Sequence, residues 1–276
     1  MESKKGLGQH FSQSDSLVRD IVKALGPRAG ETIVEIGPGH GELTFPLVAA
    51  CAKATCKVIA IEKDSTLIKP ITGHTLYDSA KLTIHEGDAL EVLPRVIEEN
   101  VSPLSSYKIV GNIPYYITGH LLRVIGNLAR RPTRCVFTLQ KEVAERIVAG
   151  PPRATRLSAS VQLWAEPTIA RAVSRNEFKP VPKVDSAVIV LTTKTGHSLR
   201  ESYYEDYFRL VKILFQQPRK TITNNLLDAY KIMGGAEKNP RDAILEKLQT
   251  LHIAPTARPQ ELSPELILGL AELFTE

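Results

Sequence analysis

The tetrapeptide Asn112-Ile113-Pro114-Tyr115 carries the residue types needed to hold a flat amine for attack. An exocyclic amino group on a nucleobase is a weak nucleophile, because its lone pair is delocalised into the ring. An enzyme that alkylates it must therefore aim acceptors at its N–H bonds. The Asn112 side-chain carbonyl is one acceptor, and Pro114 disfavours the α region at Ile113 and can turn the Ile113 carbonyl outward as a second. Tyr115 can stack on the base, an interaction of roughly 1–3 kcal/mol in single-stranded nucleic-acid sites. The other reading is a strand that ends in an ordinary turn, and the four residues alone do not separate the two.

The elements upstream do. The tetrapeptide follows the apolar run Tyr107 to Gly111, a buried strand. Another β-branched run, Thr32-Ile33-Val34-Glu35-Ile36, leads straight into Gly37-Pro38-Gly39-His40-Gly41 and then a helix-like stretch from Glu42. Glycines there permit positive φ and close approach of a ligand to the backbone. The spacing lacks the third glycine of the dinucleotide fingerprint, which argues against a nicotinamide cofactor. The run Lys57 to Ile61 ends in Glu62-Lys63, an acid placed to hold a ribose diol. A further run, Lys81 to His85, leads to Gly87-Asp88-Ala89, where Asp88 can accept from an adenine amine. Either acid alone is better read as a helix cap or a solvated loop residue. Four successive strand ends, each with a suitable polar group, favour a shared ligand cleft.

These motifs resemble those of the rRNA adenine N6-dimethyltransferase family. The resemblance runs through Glu35-Ile36-Gly37-Pro38-Gly39-His40-Gly41-Glu42-Leu43-Thr44, Gly87-Asp88-Ala89-Leu90 and Asn112-Ile113-Pro114-Tyr115. It extends to Gly6-Leu7-Gly8-Gln9-His10-Phe11, similar to the family's cofactor-lid motif, to Gln140 through Arg146, and to Phe178 through Ser186. Arg258-Pro259-Gln260-Glu261-Leu262-Ser263 resembles the C-terminal signature of the small-subunit (KsgA-type) branch. Two residues depart from the pattern: Ser12 stands where Leu is usual, and Pro218 where Arg is usual.

The resemblance implies a Rossmann-like S-adenosylmethionine-dependent methyltransferase fold, a mostly parallel α/β sheet, over residues 1–195, and a helical RNA-binding domain over 196–276. Implied cofactor contacts are Gln9, His10, Phe11, Glu35, Gly37, Gly39, Glu62, Lys63, Asp88, Ala89 and Asn112. Asn112, Ile113 and Pro114 would hold the target amine, with Tyr115 and Phe178 sandwiching a flipped adenine. The implied RNA contacts are Arg146, Arg153, Arg156, Lys179, Lys183, Arg219 and Lys220, and no metal is implied. The expected reaction is dimethylation of two adjacent adenosines near the 3′ end of 16S rRNA in a 30S-type assembly intermediate, with S-adenosylhomocysteine as product. Alternatives on the same fold are an Erm-type enzyme acting on 23S rRNA and a non-catalytic nucleic-acid-binding factor.

Composition is compatible with these expectations. The chain has 276 residues, 43% of them hydrophobic, and a net charge of +5. Between Arg130 and Lys183 stand eleven basic residues against four acidic ones, a net +7 that leaves −2 for the rest. A basic segment flanking Phe178 suits phosphate contacts, and Gly150 to Arg156 reads as a mobile basic loop. No apolar run has transmembrane length and no signal-peptide core is present, so a cytoplasmic protein is expected; separately, a monomer on RNA is expected. Cys51, Cys56 and Cys135 show no spacing that supports a disulfide framework or a zinc site. Ser186 to Thr193 reads as the last strand. After it, Tyr203–Phe215, Thr221–Tyr230, Pro240–Leu248 and Pro264–Phe274 carry apolar residues at helical spacing.

Overall fold

The computed structural model describes residues 11–12, 14–195, 201–233 and 239–274. In chain order the strands are β1 (Phe11–Ser12), β2 (Thr32–Ile36), β3 (Lys57–Glu62), β4 (Leu82–Glu86), β5 (Tyr107–Asn112), β6 (Arg134–Gln140), β7 (Ala165–Val173), β8 (Phe178–Lys179) and β9 (Ser186–Thr193). The helices are α1 (Asp15–Leu25), α2 (Thr44–Ala54), α3 (Ser65–Thr72), α4 (Ala89–Asn100), α5 (Thr118–Gly126), α6 (Lys141–Val148), α7 (Arg156–Gln162), α8 (Glu201–Leu214), α9 (Ile222–Met233), α10 (Pro240–Thr250) and α11 (Pro264–Ala271).

Seven strands form one sheet in the order β4-β3-β2-β5-β6-β9-β7. β2 to β6 pair in parallel, and β9 runs antiparallel to β6. Continuous apolar runs such as Ile33-Val34 and Val58-Ile59-Ala60-Ile61 are fully buried, as expected for strands covered on both faces. The chain winds outward from β2 to β3 and β4, then returns to the other side of β2 with β5 and β6. That reversal opens a crevice at the carboxyl ends of β2 and β5, the usual ligand position in such sheets. On one face α1 presents Leu17, Val18, Ile21 and Leu25 at helical spacing; Ser14 caps its start and Gly26, at φ 57°, closes its end.

The chain divides into two compact units: residues 1–145 with 166–193, and residues 146–165 with 194–276. The chain passes between the units at 145/146, 165/166 and 193/194, so segment 146–165 belongs to the helical unit. It packs there because Ala159 of α7 and Leu163, its C-cap, join one buried cluster with Tyr207, Leu210 and Leu214 of α8 and Ile267 and Leu270 of α11. The Tyr207 hydroxyl donates to the Ala159 carbonyl at 2.8 Å inside that cluster. Composition alone does not report this long-range return of the chain.

One expectation is corrected. Cys51 and Cys56 form a disulfide, with Cα atoms 4.6 Å apart. The left-handed turn at Thr55, φ 57°, which ends α2, folds the chain back and brings the two together. Gly150 to Thr155 form a loop that leads into α7 at Arg156; Arg153 N–H donates to the Gly150 carbonyl, and Thr155 and Ser158 form a capping box.

Candidate active site

The glycine turn after β2 is shaped for a ligand. Gly37 sits at φ 70° and Gly39 at φ 61°. A Cβ on Gly37 would meet no atom within 4 Å, so the space beside this backbone is open cleft. Gly37 N–H donates to the Ile61 carbonyl at 3.0 Å, which ties the turn to the end of β3. There Glu62 is almost fully buried; one carboxylate oxygen accepts from Gly39 N–H at 3.3 Å and the other from Asp64 N–H at 2.8 Å. Burial raises its pKa, and those two N–H groups work against the rise. Glu35, on β2, is 1% exposed, and burial pushes its carboxyl up to about 8, with the Thr44 hydroxyl opposing. Its Oε2 has no hydrogen-bond partner among the described residues.

At the end of β4, Asp88 is the N-cap of α4. One oxygen accepts from Leu90 N–H at 2.9 Å and the other from the Lys63 ammonium at 2.7 Å. Burial acts to raise the Asp88 pKa, but those two donors outweigh it and hold the carboxyl below its ordinary value. The capping role and the ligand role are compatible, since each oxygen has a second lone pair. Ala89, the first helical residue, is buried beside it.

The tetrapeptide ends β5. Gly111 is required just before it, because a Cβ there would lie 2.5 Å from the Ile36 carbonyl oxygen on the neighbouring strand. Ile113 N–H donates to the Thr138 carbonyl at 3.2 Å, and the Pro114 carbonyl accepts from Ile117 N–H at 3.2 Å. The Tyr115 hydroxyl pairs with the Ser186 hydroxyl at 3.1 Å, fixing the ring against the start of β9. Phe178 opens β8, which pairs antiparallel with β1: Phe11 lies opposite Lys179 and Ser12 opposite Phe178. The end of the lid motif and the second aromatic wall are therefore neighbours in space. Gln9 and His10 lie outside the described residues.

Twelve residues singled out from the sequence line one cleft open to solvent: Glu35, Gly37, Gly39, Glu62, Lys63, Asp88, Ala89, Asn112, Ile113, Pro114, Tyr115 and Phe178. The cleft also has walls that motif reading misses. Leu17, Val18 and Ile21 of α1 contribute an apolar side, legible in hindsight from their helical spacing, and Thr138 and Tyr116 have no sequence signal.

The basic candidates divide by environment. Arg146, Arg153 and Arg156, with Arg219, are exposed in the helical unit, and Lys179 and Lys183 are exposed in the sheet unit. Lys220 is engaged by Asp228 at 2.8 Å. Of the eleven basic residues between Arg130 and Lys183, four serve the fold. Arg130, Arg131 and Arg134 donate to backbone carbonyls, and Arg171 bridges Asp20 and Glu177. The charge free to meet phosphates is correspondingly smaller than the +7 count.

Comparison with known proteins bears on all of this. The family model described as ribosomal RNA adenine dimethylase matches residues 1–267. Ribosomal RNA small subunit methyltransferase A of Geobacillus thermodenitrificans is 37% identical over 264 residues, covering 94% of this chain and 86% of that protein. Among solved structures, a dimethyladenosine transferase from Plasmodium falciparum superposes with a TM-score of 0.77 at 26% identity, covering 95% of this chain and 96% of that one. The 23S rRNA methyltransferase ErmE superposes with a TM-score of 0.68 at 24% identity, covering 96% and 100%, a likeness of fold. With the family model spanning nearly its whole length, this chain belongs to the ribosomal RNA adenine dimethylase family.

Proposed function

We propose that the protein transfers methyl groups from S-adenosylmethionine to the N6 amines of two adjacent adenosines near the 3′ end of small-subunit rRNA. The observation that supports it most is the convergence, in one cleft of a family member, of the Asn112 to Tyr115 segment with the Gly37 to Gly39 turn, Glu62 and Phe178. The cofactor fits the residues present. The space beside Gly37 admits a ligand against the backbone, and Glu62 is a buried acceptor held in place for ribose hydroxyls. Asp88 and Ala89, which line the same cleft, would read the adenine edge. When bound, S-adenosylmethionine supplies an electrophilic sulfonium methyl.

The remaining work belongs to this chain's side chains. Asn112 accepts from the target amine and orients its lone pair, and holding the two reactants in line is expected to carry most of the rate. Tyr115 and Phe178 stack on either side of the flipped base. Positive charge building on the amine is stabilised by their π faces, by roughly 0.5–2 kcal/mol. The proton leaves to water after transfer. Arg146, Arg153, Arg156, Lys179, Lys183 and Arg219 supply phosphate contacts, and the protein acts as a cytoplasmic monomer on an assembling small subunit.

The experiment is to supply methyl-labelled S-adenosylmethionine with unmodified small subunits, unmodified large subunits and naked rRNA in parallel. Label confined to the small-subunit rRNA supports the proposal; label on large subunits, or on none, contradicts it.

A further inference from the structure

A buried hydroxyl in the cleft has no role in the account so far. Thr138 is 2% exposed, lines the same cleft as Asn112, and its Oγ1 has no hydrogen-bond partner among the described residues. Leaving a hydroxyl buried and unpaired costs roughly 1–3 kcal/mol, so such a group calls for a ligand or a structural reason. The Thr138 backbone is satisfied separately, its carbonyl accepting from Ile113 N–H at 3.2 Å.

Register places the hydroxyl. Asn112 lies directly opposite Thr138 across the β5–β6 pair, and Thr138 directly opposite Val188 across the β6–β9 pair. Residues opposite one another project from the same face of a sheet, as do residues two apart on one strand. Asn112, Thr138, Val136 and Val188 therefore share a face, and Phe178 packs into one buried cluster with Val136 and Val188 on it. The Thr138 hydroxyl thus belongs to the sheet face that carries Asn112, and it lines the same cleft as Asn112 and Phe178.

We propose that Thr138 is a specificity-determining residue for the target base, its hydroxyl donating to a ring nitrogen that flanks the exocyclic amine, N1 or N7. An adenine presents an N–H donor beside an acceptor on each side of C6. Asn112 Oδ1 and Thr138 O–H form the complementary pair, an acceptor next to a donor. In the same pose a base with a carbonyl at C6 sets that oxygen, an acceptor, against the acceptor Asn112 Oδ1. This assignment rests on the methyl-transfer reading of the cleft.

The test uses the full-length protein and small subunits reconstituted with rRNA that carries adenosine, 1-deazaadenosine or 7-deazaadenosine at the target position. Thr138→Val removes the hydroxyl at nearly constant volume and Thr138→Ser restores it. The Val variant is expected to lose roughly ten- to hundredfold in kcat/KM on the adenosine substrate, the scale set by an unmade hydrogen bond in a substrate site. The Ser variant is expected to recover to within a few-fold, and the Kd for S-adenosylmethionine to stay unchanged in both. Wild-type protein should lose a similar factor on one of the two deaza substrates, and the Val variant should lose nothing further on that one. Wild-type indifference to both analogues overturns the proposal even if the Val variant fails to fold. Full activity of the Val variant, or a parallel loss of cofactor affinity, overturns it as well. If wild-type protein transfers no methyl to any small subunit, the methyl-transfer reading fails and this one falls with it; transfer with unchanged selectivity removes this one alone.

Discussion

Glu62 Oε2 accepts a hydrogen bond from Gly39 N–H at 3.3 Å, joining two motifs 23 residues apart. The contact makes the glycine turn and the acid proposed to hold the ribose one unit: the turn holds the carboxylate, and the carboxylate holds the turn. Replacing Glu62 by Ala should raise the Kd for S-adenosylmethionine by at least tenfold, because it removes the diol acceptor and releases the Gly39 backbone. Calorimetric titration checks this, and an unchanged Kd would remove Glu62 from the cofactor site.

Asn112→Ala separates binding from chemistry. The variant keeps the cleft's other walls, so cofactor affinity should stay within a few-fold of wild type while single-turnover methyl transfer falls by a factor of about 10² or more, as for loss of an oriented group acting in the transition state. Surviving turnover would show that the amine is held by another acceptor.

Gly111 has no room for a side chain. An added methyl would press on the Ile36 carbonyl at 2.5 Å, at the pairing that sets the Asn112 strand end. Gly111→Ala should destabilise the protein by about 1–3 kcal/mol, seen as a lower melting temperature, and should impair transfer beyond that loss. A wild-type melting curve would contradict the packing described.

Glu35 sets a pH dependence. Its carboxyl is pushed from 4.5 to about 8 in the folded protein, so folding favours the protonated form. The associated stability is fully present below pH 4.5 and is lost progressively as pH rises toward 8. Over that window Glu35→Gln should flatten the fall in apparent stability, by up to about 3 kcal/mol at pH 7. Parallel curves for the two proteins would show that Glu35 is not the group responsible.

How much of this was legible in sequence follows from the kind of interaction. The order of strands and the residues at their ends are local features, a β-branched run followed by Gly37, Glu62, Asp88 or Asn112, and the structure gathers all of these in one cleft. Ser186–Thr193 emerges with the bounds read from its apolar pattern. Features set by long-range packing escape the sequence. The return of 146–165 to the helical unit, the capture of Arg171 by Asp20 and Glu177, and the position of Thr138 opposite Asn112 depend on which elements become neighbours. The Cys51–Cys56 pair escaped because its closure depends on a positive φ at Thr55, a residue with no glycine to announce it.

The most direct test of the central claim is nucleoside mass spectrometry of small-subunit rRNA before and after incubation with the protein and S-adenosylmethionine. The account predicts two residues of N6,N6-dimethyladenosine per rRNA at adjacent positions near the 3′ end, formed about 10²-fold or more slowly when Asn112 is replaced by Ala. Methylation of another base, of large-subunit rRNA, or of nothing would contradict it.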